Sequence, residues 1–453
     1  MTTTGSPSAL HTRPAELLQH LLRFDTTNPP GNERECVYYI HNLLYAAGFD
    51  TEIVGLDDSR PNLVTRLKGR GDAPGLLMQG HVDVVTTYGQ NWQHPPFGGD
   101  LIDGYIWGRG ALDMKSGVAM MVAALLRAKA EGLQPPGDVV LAVLADEEAG
   151  SDYGARYLVQ HHPYLFDGVK YAIGEVGGST EYIGGRKFYP IQIGEKQMCW
   201  MRAVLRGPGG HASLPTRGGA MAKLGRMLAR LDNNRLPVHI TPPVRQSIEA
   251  IAAALDPEMG RMVLGLLDPT KTDAVLDQLG GLGKEQRDVA RSLDAVLHNT
   301  ANATIVHGGE KTNVIPSEIV VDFDGRLLPG YKPEEMLSEL EALLGDEVEL
   351  EVVRFTAFEK PIDMSLYDTL ADIMREMDPE GVPVPYVLTG VTDAVNFAKL
   401  DIQSYGFTPM KLPQGFHYLE TIHAADERIP VEAMDFGTEA IYKLLSRMGG
   451  SNA

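Results

Sequence analysis

The sequence predicts an α/β fold: a mixed, largely parallel sheet flanked by helices, with a smaller α+β unit inserted into it. Three observations carry this. Short apolar runs, Gly75–Met78 and the Val-rich Val139–Ala145, alternate with longer helix-patterned segments, the order that builds a parallel sheet. Near residue 197 the pattern changes to strands and helices in blocks, and after Pro361 the alternation resumes. A chain of 453 residues is long enough for two or three domains with sizeable cores. The boundaries expected are 1–197 and 359–453 for the two parts of the main domain and 198–358 for the insert.

Each element has a local reason. Pro14–Leu22 reads as a short helix with Pro at its first position, and Asn32–Ala47 as a second, with Asn32 as N-cap and Gly48 as the stop. Gly75–Met78 is a strand that runs into Gly80-His81-Val82-Asp83-Val84-Val85. Ser116–Glu131 is a helix with an almost wholly apolar face, ended by Gly132. Val139–Ala145, bounded by Pro135-Pro136-Gly137 and by Asp146-Glu147-Glu148, is a continuous apolar run of strand length, the pattern of a strand buried on both faces. In the insert, Trp200–Leu205 is strand-like, Gly218–Leu231 and Arg245–Leu267 are helical, and a charged, Gly-containing stretch follows. Strands at Asn302–Val306 and Ile319–Phe323, a helix at Pro333–Leu344 and a strand at Val348–Phe355 complete it. Val431–Met448 closes the chain as a helix.

Composition excludes some functions. Forty Lys and Arg against 60 Asp and Glu give a net charge of −20, which argues against nucleic acid or an anionic membrane surface as a partner, since both need a basic face. Met1 to Leu10 lacks a basic segment followed by an apolar core, so no signal peptide is expected. The longest apolar run, Gly117–Leu126, is about half of a membrane span. Cys36 and Cys199 cannot make a disulfide framework, and two reduced thiols point to the cytoplasm.

Polar residues interrupt the apolar runs at informative places. His81 and Asp83 follow one strand and share a side if the backbone stays extended. Asp113 lies in a Gly-rich loop opening the apolar helix, where it is either an N-cap or a functional group. Glu147 and Glu148 follow the Val139 strand, as a solvated turn or as site residues. Glu175 follows Ala172-Ile173-Gly174. In open α/β sheets, ligand-binding groups collect at the carboxyl ends of strands. A set of His and carboxylates there suits two metal ions about 3.5 to 4 Å apart, with a carboxylate between them, activating a water. A neighbouring carboxylate that is not a ligand would move the proton. His423 is a candidate for the ligand still missing.

These motifs occur in a fixed order: His81-Val82-Asp83, Gly110-Ala111-Leu112-Asp113-Met114-Lys115-Ser116-Gly117, Asp146-Glu147-Glu148, Gly174-Glu175, Gly210-His211-Ala212-Ser213, Asn313-Val314-Ile315-Pro316 and His423-x-x-x-Glu427. In them the chain resembles the dinuclear zinc amide hydrolases that include carboxypeptidase G, acetylornithine deacetylase, succinyl-diaminopimelate desuccinylase, aminoacylase and several dipeptidases. The resemblance spans roughly residues 14 to 448. It implies that Asp113, followed by a cis peptide, bridges two divalent ions, most often zinc, with cobalt or manganese as alternatives. His81 and Glu175 would complete one metal site, and Glu148 and His423 the other. Asp83 would orient His81 through its far nitrogen, and Glu147 would be the general base and acid. His211 would steady the developing oxyanion, often across a dimer, while Asn313, Arg326 and Gly390 would hold a substrate carboxylate. For Arg326 an ordinary ion pair with Asp322 or Asp324 is the alternative. Val391 stands where the family often has a second Gly, which puts the role of the Gly390 loop in doubt. The insert would be a lid and homodimerisation domain, and its long helical segment between His239 and Asn302 either an extra helical hairpin or an apolar wall for an acyl chain. The implied activity is hydrolysis of an amide bond next to a free carboxylate in N-acyl amino acids or short peptides; a dipeptidase or carboxypeptidase is the alternative, and a non-catalytic binding protein on this fold a remote one.

Overall fold

The computed structural model describes residues 7–356 and 361–448; the stretch 1–6, on which part of the signal-peptide reading falls, lies outside them. The chain divides into two compact units. One comprises Met1–Ile193, Ile362–Tyr386 and Thr392–Ala453, and the other Gly194–Pro361 with Val387–Val391. The sequence division at 197/198 falls four residues after the one at Ile193 and Gly194, the division at 358/359 lies outside the described residues, and the excursion at 387–391 had no sequence signal.

The main sheet has nine strands. Four of them, in the spatial order Val139–Leu144, Gly75–His81, Val169–Gly174 and Gln403–Gly406, pair parallel to their neighbours. Antiparallel pairing attaches Asn62–Leu67 to the Val139 strand and Arg186–Glu195 to the Gln403 strand. The Val139 strand is apolar throughout, and its parallel neighbours are largely so, because each face meets its own core. Leu76, Met78, Val139, Leu141, Val143 and Ile173 pack with the helices Lys115–Ala130 and Val431–Arg447 on one side. Leu77, Val140, Ala142, Leu144 and Ala172 pack with Leu158, Phe166 and Phe397 on the other. This is period-two alternation with no polar face.

The second unit holds a four-stranded antiparallel sheet in the order Thr300–His307, Glu318–Leu327, Gln197–Arg206 and Glu349–Thr356. Its buried face (Met201, Ala203, Leu205, Val321, Phe323) packs on the helices Ala220–Asn233 and Pro333–Leu344. Among the described residues, no helix of either unit is long and apolar enough to cross a membrane. Both cysteines are buried and unbridged.

Three local expectations need correction. The helix expected over Arg245–Leu267 is two, Pro242–Ala254 and Pro257–Leu264. Pro257 lacks the N–H that would continue the first, and the Asp256 side chain caps the second through the N–H groups of Glu258 and Met259. The charged, Gly-containing stretch is also helical, as Thr272–Gly281 and Lys284–Leu297; local propensity underrated it because glycines sit at the helix ends. Finally, Asn32 does not cap the second helix. That helix spans Arg34–Ala46 with Glu33 at its N-cap, without a side-chain cap bond, and the Glu33 carboxylate instead receives the Arg60 guanidinium.

Candidate metal centre

Because the four central strands run the same way, their carboxyl ends share one edge of the sheet. His81 is the last residue of its strand. Glu175 directly follows the strand Val169–Gly174. Glu147 and Glu148 begin a single 3-10 turn after Asp146, whose φ of 67° turns the chain sharply at the end of the Val139 strand. Asp113 arrives on the loop entering the helix Lys115–Ala130, with a cis bond to Met114, as the resemblance implied. It does not cap that helix, whose N-cap is Met114. His423 comes from far along the chain with φ at 61°, a left-handed conformation that non-glycine residues seldom take.

The five side chains form two clusters, His81–Asp113–Glu175 and Asp113–Glu148–His423, each with ligand atoms within 4.8 Å of one another. Asp113 belongs to both, one oxygen to each. Its Oδ1 lies 3.1 Å from His81 Nε2, which is 3.4 Å from Glu175 Oε2. Its Oδ2 lies 3.1 Å from His423 Nε2, which is 3.3 Å from Glu148 Oε1. Ligands about 2.1 Å from a tetrahedral zinc are about 3.4 Å apart, so these separations fit one ion in each cluster. Glu148 Oε1 is buried with no hydrogen-bond partner, which a cation would satisfy. The donor set, imidazole and carboxylate without thiolate, suits zinc, cobalt or manganese.

Electrostatics say the same. Burial opposes a charged His81, yet Asp113, Asp83 and Glu175 outweigh it and lift its pKa well above the ordinary value. His423 is raised to about 10 by Asp113 and Glu148. Burial, then the Asp113 charge among others, raises Glu175 to about 8 despite His81. Glu147 is pushed well above the carboxylate range by burial, with Glu175, Asp393 and Glu148 adding to it. A site in which carboxylates retain protons and histidines acquire them has an excess of negative charge that divalent ions would offset. Among the described residues Glu147 belongs to neither cluster.

Asp83 lies beside the far nitrogen of His81 and also holds the neighbouring strand end. His81 Nδ1 hydrogen-bonds the backbone carbonyl of Asp83 at 2.9 Å, whereas the Asp83 carboxylate is 3.4 Å away. That carboxylate chiefly serves the neighbouring strand end. It accepts the N–H groups of Glu147 and Glu148, each at 3.1 Å, and Asn28 Nδ2 at 2.9 Å. Burial would raise its pKa, but His81, Asn28 and the Glu148 N–H outweigh this and hold it low. Asn28 also donates to Asp146, and Arg60 pairs with Asp146 and Glu33. Sequence reading gave these residues no role; the Asn28-Pro29-Pro30 turn was the available signal. Asp393 was missed as well. It is buried, accepts from Ser151 on the Glu147–Glu148 loop and keeps its second oxygen unpaired.

The remaining site residues lie in the second unit. His211 and Val314 pair in a short exposed ladder, and the Ala212 N–H donates to the Asn313 carbonyl, bringing His211 and Asn313 together. His211 Nδ1 accepts the Ser213 N–H at 3.2 Å, with Ser213 Oγ at 2.7 Å. Since Nδ1 is an acceptor, a neutral His211 carries its proton on Nε2, as an oxyanion donor requires. The guanidinium of Arg326 forms a two-bond ion pair with Asp324, at 2.8 and 3.0 Å, the alternative left open above. A Cβ on Gly390 would meet only Leu388, at 3.9 Å, so local packing does not demand a glycine. His417 stands at the N-cap of the turn Tyr418–Thr421, and His162 meets Tyr157 at a tilt and Tyr164 edge-on; neither joins the clusters.

Residues 77–447 match the model of peptidase family M20/M25/M40. The chain is 26% identical over 394 residues to an N-fatty-acyl-amino acid synthase/hydrolase of Xenopus tropicalis, covering 83% of this chain and 73% of the relative. It is 24% identical over 403 residues to a probable carboxypeptidase S-like protein of Dictyostelium discoideum, covering 82% and 71%. Its fold matches human carnosine dipeptidase 1 with a TM-score of 0.63 at 16% identity, over 98% of this chain and 97% of that one. With paired His and carboxylate clusters at the strand ends and a family match over most of its length, the chain belongs to the M20/M25/M40 family of metal-dependent hydrolases.

Proposed function

We propose that this protein hydrolyses an amide bond next to a free carboxylate in N-acyl amino acids or short peptides, using two divalent metal ions, zinc first among them. One observation carries the reading: Asp113 divides its two oxygens between two ligand clusters while Glu147 stands beside them unliganded. Bound ions supply Lewis-acid polarisation and lower the pKa of a bound water towards about 7. His81, Asp113 and Glu175 would hold one ion, and Asp113, Glu148 and His423 the other. Glu147 takes a proton from the attacking water and returns it to the leaving nitrogen. His211 donates from Nε2 to the developing oxyanion. Asn313, the backbone at Gly390 and Arg326 receive the substrate carboxylate, which must share the Arg326 fork with Asp324. The inserted unit acts as the lid and the surface for a homodimer, and the buried, unbridged cysteines favour a cytoplasmic setting.

The test is a substrate panel. Metal-free protein reconstituted with zinc, cobalt or manganese is offered N-acetyl and N-fatty-acyl amino acids, dipeptides and the C-terminal amides of each. Cleavage confined to compounds with a free carboxylate is expected, and preference within the panel separates a deacylase from a dipeptidase or carboxypeptidase. No cleavage, or equal cleavage of the amides, refutes the proposal.

A further inference from the structure

Glu427 closes the His423-x-x-x-Glu427 motif, yet it is not in either ligand cluster. It is fully buried, as is Arg109. Its carboxylate is saturated by the loop that carries Asp113. Oε1 accepts the N–H groups of Leu112 at 2.7 Å and Asp113 at 3.1 Å. Oε2 accepts the Gly110 N–H at 3.1 Å and Arg109 Nη1 at 2.6 Å. The chain of contacts continues. Arg109 Nη2 donates to Gln90 Oε1 at 2.7 Å, and Gln90 Nε2 donates to the carbonyl of His423 at 2.7 Å. Trp92 fixes the middle: its Nε1 donates to Gln90 Oε1 at 3.1 Å and its ring lies 5.1 Å from the Arg109 guanidinium.

The path therefore starts at the backbone of one ligand, Asp113, and ends at the backbone of another, His423. His423 has φ at 61° and Asp426 φ at 62°, conformations that persist only where surrounding contacts determine them. Gln90 on the His423 carbonyl, and the Gln93 N–H on Asp426 Oδ1 at 2.8 Å, are such contacts.

We infer that Glu427, Arg109 and Gln90 are positioning residues that preset the metal centre, and that the two ends of this relay act unequally on the two ions. The Glu427 end holds Asp113, which both clusters share. The Gln90 end holds His423, which belongs to one. Weakening the Gln90 end should loosen the ion at Asp113–Glu148–His423 and spare the ion at His81–Asp113–Glu175. Weakening the Glu427 end should loosen both. This inference rests on the two-ion reading proposed above. Outer contacts of this kind typically contribute 10- to 100-fold to metal affinity.

The experiment titrates zinc into metal-free wild type, Gln90→Leu, Gln90→Glu and Glu427→Gln, with binding heats and a cobalt absorption spectrum as readouts and thermal unfolding of the metal-free proteins as the check on folding. Gln90→Glu keeps an acceptor for Arg109 and removes the donor to His423. Expected are two ions in the wild type; one ion of unchanged affinity and one weakened about 10- to 100-fold in both Gln90 variants; and two weakened ions in Glu427→Gln. Folded Gln90 variants that bind both ions as the wild type does, or lose both equally, overturn the inference. A wild type that binds fewer than two ions overturns the two-ion reading beneath it.

Discussion

Replacing Asp83 by Asn keeps the shape of the side chain and removes its charge and half of its accepting capacity. Asp83 accepts from three donors: Oδ1 from the Glu147 N–H, and Oδ2 from the Glu148 N–H and Asn28 Nδ2. Asparagine has one carbonyl oxygen and an NH₂ that can only donate. With its oxygen at the Oδ2 position it keeps Glu148 and Asn28 and turns an N–H group towards the Glu147 N–H. One buried donor without a partner costs about 1 to 3 kcal/mol, and the two surviving bonds fall from charged to neutral strength, about 1 kcal/mol each. The expected loss of stability is about 3 to 5 kcal/mol, read by urea unfolding of the metal-free protein. The loss acts at the backbone of the residue assigned to proton transfer, where a displacement near 1 Å costs about 100-fold in rate. Steady-state assays of the zinc-loaded variant on its best substrate should show that drop in kcat with metal still bound. A variant within about 1 kcal/mol of wild type and within about 3-fold in kcat would refute the assignment of Asp83 to the Glu147–Glu148 turn.

Two further outcomes follow from the site. Glu147→Ala should retain both metal ions by elemental analysis and keep no more than a few per cent of kcat, since proton transfer by a positioned group contributes about 100- to 10,000-fold; substantial residual turnover would assign the proton transfer elsewhere. The metal-free protein should become less stable as pH rises. The folded pKa of His423 is raised to about 10 from an ordinary 6.5, and that of Glu175 to about 8 from 4.5, so both contributions are complete below the unfolded values and disappear as pH passes the folded ones. Thermal unfolding between pH 5 and pH 10 should show this slope for chelated protein and a much flatter one with zinc bound; a flat profile for the chelated protein contradicts it.

Much of the fold and the site was legible in the sequence. Val139–Ala145 is apolar at every position, which only a strand covered on both faces requires, and its end names Glu147 and Glu148. Ligands at the ends of short apolar runs stand out because a charge directly after such a run breaks a strong pattern. The helical insert was less legible. Asp256-Pro257 carries a start signal, but the apolar spacing continues across it and hides the break, and the glycines near 280–283 mask two helices. Arg326 shows another limit: its sequence neighbours allowed both a substrate clamp and an ion pair, and only placed atoms reveal that Asp324 already holds its fork.

By itself, the sequence determined the fold class and the strand ends through local periodicity, and the ordered motifs that resemble the family picked out the residues that cluster. Tertiary structure alone decided how those residues are held. The division of Asp113 between two clusters, the hold of Asp83 on the Glu147 and Glu148 backbone, and the seat of Glu427 under the Asp113 loop all depend on polar contacts between segments far apart in the chain, up to 318 residues for Glu427 and Arg109. Such bonds depend on distance and angle between elements that meet only after folding, and they leave no spacing in the chain from which they could be read.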